Sequence, residues 1–235
     1  MVSLDPTEQR SHTLNGGTLA NDVLFRLRED IISCVLKPGE KLRFEAMRAM
    51  YGVSYSTLRE ALSRLSSEGL VQSEGQRGFY VSPISEADLL DITDARVVLE
   101  RECIARALDR GGADWKSGII AAFHKLDRLE DSMGDNLRTT PDWEKLHMGF
   151  HDALVAASGS PILQELRHLL FERARRYRRI SALVRTSPRV KSDEHRVIME
   201  AVLGGDSQAA QDMSERHIRD VYENILRRGL SQAVP

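Results

Sequence analysis

Four histidines carry the first chemistry that can be read from this chain. Seven occur, at positions 12, 124, 147, 151, 168, 195 and 217. His147 and His151 are four residues apart, a spacing that puts two imidazoles on one face of an α-helix, about 6 Å apart along the axis and within reach of one ion. His195 opens a later helical stretch, and His217 lies midway along the last one, in line with Met213 and Val221. Antiparallel packing of these helices would gather all four rings inside a bundle. On spacing alone, an i,i+4 histidine pair is a common surface feature, and His195 and His217 read as ordinary half-buried polar residues. A set of imidazole ligands suits a divalent transition metal, zinc first, with nickel, iron and copper as alternatives. Four neutral rings would leave the full charge of the ion to attract an anion. His12, His124 and His168 have no partner at useful spacing.

A second group of side chains faces a different kind of partner. In residues 53–69, VSYSTLREALSRLSSEG, Leu58, Ala61, Leu62 and Leu65 recur at i, i+3, i+4 and i+7, one apolar stripe on a helix. Ser54 is placed to cap its start and Gly69 to end it. The other face carries Tyr55, Ser56, Thr57, Arg59, Ser63 and Arg64, which with Ser54 suit phosphate oxygens and base edges. Residues 44–51 form a shorter amphipathic helix closed by Gly52, so the pair reads as a helix-turn-helix for double-stranded DNA. Short strands at 70–73 and 79–81, joined by Gly75-Gln76-Arg77-Gly78, add a wing with Arg77 at its tip. The plainer reading is a helical hairpin inside a larger fold, its polar residues merely solvated.

The remaining elements must position these two groups. A helix from Thr18 or Asn21 to about Val35, with Leu19, Val23, Leu27 and Ile31 in register, precedes the pair and stops at Lys37-Pro38-Gly39. Beyond residue 82 the pattern is helical, with helices expected at 86–110, 114–133, 141–157, 161–184, 192–203 and 207–228. Their breaks are Gly111-Gly112, Gly134, residues 158–161, Pro188 and Gly204-Gly205. The expected fold is mostly α, an N-terminal winged helix-turn-helix followed by an all-α bundle of about six helices. The boundaries are a flexible tail over 1–17, the winged helix over 18–82, a linker at 83–85, the bundle over 86–229 and a tail over 230–235. In the basic run 171–180, FERARRYRRI, the arginines are expected toward solvent, with Leu166, Leu170, Ala174, Tyr177 and Ile180 inward. Arg173 and Tyr177 are the residues of this run that a ligand pocket would use.

Composition bounds the partners. The 235 residues are 41% hydrophobic and 29% charged, an ordinary globular balance. The net charge of −2 excludes a polycation, and residues 15–81 hold nine Lys/Arg against eight Asp/Glu. A nucleic-acid surface must therefore be local, with Arg59, Arg64 and Arg77 converging and a dimer doubling the patch. Two cysteines, Cys34 and Cys103, both expected within helices, give no disulfide framework. No apolar run approaches a membrane span and no signal-peptide core is visible, so a cytoplasmic protein is expected.

The motifs PGEKL (38–42), YGVSYSTLREALSRLSSEGLV (51–71) and RGFYV (77–81) resemble the DNA-binding domain of GntR-type bacterial regulators. The bundle resembles the FCD-type ligand-binding domain of the FadR branch, through DARVVLERECIARALD (94–109), LHMGFHDALVAASGSPIL (146–163), EHRVIMEAVLGGD (194–206) and the HI pair at 217–218. The resemblance implies a homodimeric transcription regulator, a repressor of a catabolic operon, released from its operator by a small organic acid. It implies a metal site at the four histidine positions, although the family usually carries Asp or Asn where His147 stands. It usually carries arginine where Tyr55 stands. Arg96 matches an arginine that points into the effector pocket, where its guanidinium would pair with a carboxylate. Glu100, four residues on, belongs either to that pocket or to an i,i+4 ion pair with Arg96. Two rival readings are a regulator that senses the ion itself and a metal-dependent hydrolase whose histidines activate water. Against the hydrolase, Glu144 and Asp152 are near in sequence but point elsewhere.

Overall fold

The computed structural model describes residues 19–75, 78–133, 140–183 and 193–228. Thr18, Arg77, Gly134, Pro188 and both tails lie outside these residues, as does the side chain of Leu19. The first unit contains α1 (Leu19–Ile32), β1 (Lys41–Leu42), α2 (Phe44–Tyr51), α3 (Tyr55–Ser67), β2 (Val71–Ser73) and β3 (Phe79–Val81). The Ser54 hydroxyl accepts from the Thr57 amide at 3.2 Å, which fixes the start of α3. Gly52 closes α2 in the left-handed conformation, at φ 67°, and this turns the chain into the second helix of the pair. Leu58, Leu62 and Leu65 are fully buried against Leu27 and Ile31 of α1. Burying each such leucine is worth roughly 1.5–3 kcal/mol.

The sheet is antiparallel in the order β1-β3-β2, with Leu42 opposite Phe79 and Val71 opposite Val81. β1 is absent from the sequence reading, since a two-residue strand has no periodicity to detect. α1 is also shorter than expected. It ends at Ile32, because Cys34 adopts a left-handed φ of 60° and the Leu36 amide folds back to the Asp30 carbonyl. Cys34 thus lies in a buried turn rather than in a helix, and Val35 is exposed.

The second unit is α4 (Glu86–Arg110), α5 (Ala113–Met133), α6 (Pro141–Val155), α7 (Pro161–Leu183), α8 (Glu194–Gly204) and α9 (Ser207–Arg228). One 3₁₀ turn, Ala156–Ser158, follows α6. Ser85 caps α4 by accepting from the Asp88 amide, and Thr140 caps α6 ahead of Pro141. α4 packs along α9 and α7, while α5 packs on α6 and α8. The chain is mostly α, a winged helix followed by a helical bundle. Among the described residues no helix is long and apolar enough to cross a membrane.

α7 differs from its expected orientation. Leu166 is exposed, whereas Arg167 and Arg176 are buried. The arginines of this helix turn inward because carboxylates and carbonyls from distant segments wait there. Arg173 donates to the Glu68 carbonyl at 3.0 Å, and Arg175 to Glu29 at 3.0 Å. Arg176 donates to the carbonyls of Ser82 and Pro83 at 2.7 and 3.0 Å. α7 therefore grips both the end of α3 and the connection between the two units.

Candidate metal centre and nucleic-acid interface

α6 presents His147 and His151 one turn apart, α8 presents His195 from its first turn, and α9 presents His217 from its middle. The structure brings the four together. One ligand atom from each lies within 4.8 Å of the others. The Nε2 atoms of His147 and His151 are 3.3 Å apart, and those of His147 and His217 are 3.4 Å apart. Four nitrogens held about 2.0–2.1 Å from a common ion at tetrahedral angles would be about 3.3 Å apart. Two pairs already have that spacing, and the donor set is chemically suited to a divalent transition metal.

Three of the rings have a carboxylate on the Nδ1 side. Glu194 is 2.9 Å from His217, Glu100 is 3.9 Å from His151, and Glu130 is 4.0 Å from His195. Glu194, at hydrogen-bond distance, orients the His217 imidazole and makes its other nitrogen a better donor, whereas Glu100 and Glu130 lie beyond that distance and act on their rings only through charge. His147 differs. Its Nδ1 is buried with no hydrogen-bond partner among the described residues, and its ring is stacked on Trp143 at 4.3 Å. Burial holds His147 and His151 well below the ordinary imidazole range, and the neighbouring histidines and arginines push in the same direction. Both rings are neutral at pH 7, as ligands must be.

Beside the rings lies a set of cations. Arg96 and Arg178 both approach the Phe171 ring, at 5.4 and 4.0 Å from its centroid. Arg178 is paired with Glu144 at 3.0 Å. Arg96 has no carboxylate within ion-pairing distance among the described residues, and the i,i+4 pair with Glu100 does not form. Glu100 is taken instead by Arg167 at 2.7 Å. Burial, reinforced by Arg178, pulls Arg96 down to about 9, so it stays charged at neutral pH. Arg173 and Tyr177 are not brought to this site. Arg173 lies against Glu68, and the Tyr177 hydroxyl donates to Asp88 at 2.6 Å near the start of α4. Glu144 and Asp152 are both occupied by arginines, Asp152 by Arg167 at 2.6 Å. Sequence reading missed Glu130, Glu194, Trp143, Arg167 and Arg178, since only the packing of α5, α7, α8 and α9 around α6 places them here.

The second group lies along α3. Ser54, Tyr55, Ser56, Arg59 and Arg64 are exposed along α3, with Thr57 half-buried. Arg64 lies 3.4 Å from Glu60 and 3.5 Å from Asn21. Tyr55 stacks on Phe44 of α2.

Residues 19–81 match the family of bacterial regulatory proteins, gntR family, and residues 91–220 match the FCD domain. The chain is 32% identical over 217 residues to an uncharacterized HTH-type transcriptional regulator, BphR, of Paraburkholderia xenovorans (strain LB400), covering 92% of this chain and 89% of that protein. It is 38% identical over 197 residues to the HTH-type transcriptional repressor GlaR of Escherichia coli (strain K12), covering 82% of this chain and 89% of that one. The structure of a putative transcriptional regulator GntR from Rhodococcus sp. RHA1 has a similar fold, with a TM-score of 0.67 at 24% identity over 89% of this chain and 98% of that one. These relatives are transcriptional regulators, not enzymes. The chain belongs to the GntR family of bacterial transcriptional regulators, with an FCD domain as its second unit.

Proposed function

We propose that this protein is a cytoplasmic, homodimeric repressor of the FadR branch, and that a small organic acid bound beside a divalent metal ion controls its hold on operator DNA. The convergence of His147, His151, His195 and His217 next to the Arg96 guanidinium, which has no ion-pair partner among the described residues, carries this reading. The histidines would hold the ion, zinc first by donor type, with nickel, iron and copper as alternatives. When bound, the ion supplies a positive centre on which a carboxylate can rest. Arg96 would take a second acidic or polar group of the same ligand, and Phe171 would form the apolar wall between them. Ser54, Tyr55, Ser56, Thr57, Arg59, Arg64 and Arg77 would meet DNA, with two protomers on successive half-sites. The kinship with a named repressor, GlaR, supports the sign of regulation.

The site also has a route to the DNA-reading unit. Glu144, on the helix that carries His147, lies between Arg178 at 3.0 Å and Arg175 at 3.5 Å, and Arg175 continues to Glu29 of α1. An anion near Phe171 would compete for Arg178, free Glu144 to turn toward Arg175, and weaken the hold on Glu29. Such a ligand would bind one arrangement of the two units better than the other, which is what release from DNA requires. The test is to titrate candidate acids into the metal-loaded operator complex, with Arg96→Ala alongside. Release of wild type by an acid, lost in Arg96→Ala while DNA affinity and metal content persist, supports the reading. Release by metal alone would make the ion itself the signal. No release by either would defeat the inducer role.

A further inference from the structure

The start of α3 holds a fixed aromatic ring where a DNA-reading helix meets bases. Tyr55 is the first residue of α3 and is 47% exposed. Its ring is stacked on Phe44 at 4.3 Å and 22° between planes, and Phe44 meets Phe79 of β3 edge-on at 5.9 Å. Three elements thus lock the ring in place, with one face covered and the rest open to solvent. The neighbouring hydroxyls are engaged with one another, since Ser54 Oγ lies 2.9 Å from both Ser56 Oγ and Thr57 Oγ1. Tyr55 is therefore the projecting group at this tip. The N-terminal residues of a recognition helix are the ones that reach base edges in the major groove. A phenol ring cannot make the forked bond to guanine O6 and N7 that a guanidinium makes. Its open edge instead matches the C5 methyl of thymine, the apolar feature of that groove.

We propose that Tyr55, held on Phe44, selects a thymine in each operator half-site through its C5 methyl group. This rests on α3 being the helix that enters the major groove. The test begins with selection of an operator from random duplex DNA by the full-length protein. Each thymine of the half-site is then replaced by deoxyuridine, which removes only the methyl. At one position per half-site, wild type is expected to lose roughly fivefold in affinity. Tyr55→Ala should bind the two duplexes equally at that position, and Tyr55→Phe should still distinguish them. Indifference to uridine at every position, or a methyl effect that survives in Tyr55→Ala, would overturn the assignment while leaving DNA binding intact. So would an equal, sequence-independent loss in Tyr55→Phe and Tyr55→Ala, which would put the hydroxyl on a phosphate. Failure to enrich any sequence would defeat the role of α3 itself and this inference with it.

Discussion

Arg167 donates from Nε to Glu100 at 2.7 Å with both side chains buried, and the other Glu100 oxygen lies 3.9 Å from Nδ1 of His151. Burial opposes the Arg167 charge, but Glu100 and Asp152 outweigh it and hold the guanidinium above the usual arginine range. Removing one partner of such a pair strands a buried charge, at about 3–5 kcal/mol. Glu100→Gln is expected to lower unfolding stability by about 3 kcal/mol. Denaturant unfolding of metal-free protein measures it, and a loss under about 1 kcal/mol would show the pair to be water-exposed in solution.

Acid should weaken the metal-free fold through the histidine cluster. His147 and His151 titrate well below the ordinary value of 6.5 in the folded chain. The unfolded chain therefore takes up more protons as pH falls below about 6.5, and stability drops with it. Above that value both states are neutral at these rings and the effect vanishes. Unfolding midpoints between pH 7.5 and 5 should fall in wild type and fall less in His147→Phe; parallel curves would count against the assignment.

Metal analysis of purified protein is expected to find about one ion per chain, lost in His147→Ala/His151→Ala. An ion that binds only the folded state raises its stability in proportion to the logarithm of free metal. Thermal unfolding with and without chelator should therefore separate in wild type and coincide in the double variant.

Arg59 is exposed on the polar face of α3, opposite the leucine stripe. If it neutralises a phosphate, Arg59→Ala should reduce the slope of log affinity against log salt by about one. An unchanged slope with lower affinity would assign Arg59 to a base edge.

Arg176 ties α7 to the connection between the units through the carbonyls of Ser82 and Pro83. Arg176→Met keeps the length of the stem and removes both donors. The winged helix is then expected to melt separately from the bundle, giving two calorimetric transitions in place of one. A single unchanged transition would show that the apolar contacts of Ile84 suffice.

What could be read in the sequence divides by the range of the interaction. Leu58, Ala61, Leu62 and Leu65 announced α3 because a helix repeats its apolar residues locally, and Ser54 and Thr140 announced helix starts through bonds three residues long. His147 and His151 could be paired by spacing, whereas adding His195 and His217 required the packing of α8 and α9. The arginines of α7 read as a solvated face because their partners, Glu29, Glu68, Ser82 and Glu100, lie 67 to 146 residues away in the chain. Cys34 reads as helical in the sequence because nothing in its neighbours marks the left-handed turn that ends α1.

Gly69 has a φ of 77°, and the Arg173 side chain lies across it where any Cβ would have to sit. The tail end of α3 and helix α7 of the bundle are in this way fitted to each other at the scale of a single methyl group. A side chain at Gly69 would strain that left-handed turn and push the Arg173 guanidinium off the Glu68 carbonyl, so another regulator's DNA-binding head grafted onto this body without glycine there would give up this tie between α3 and α7.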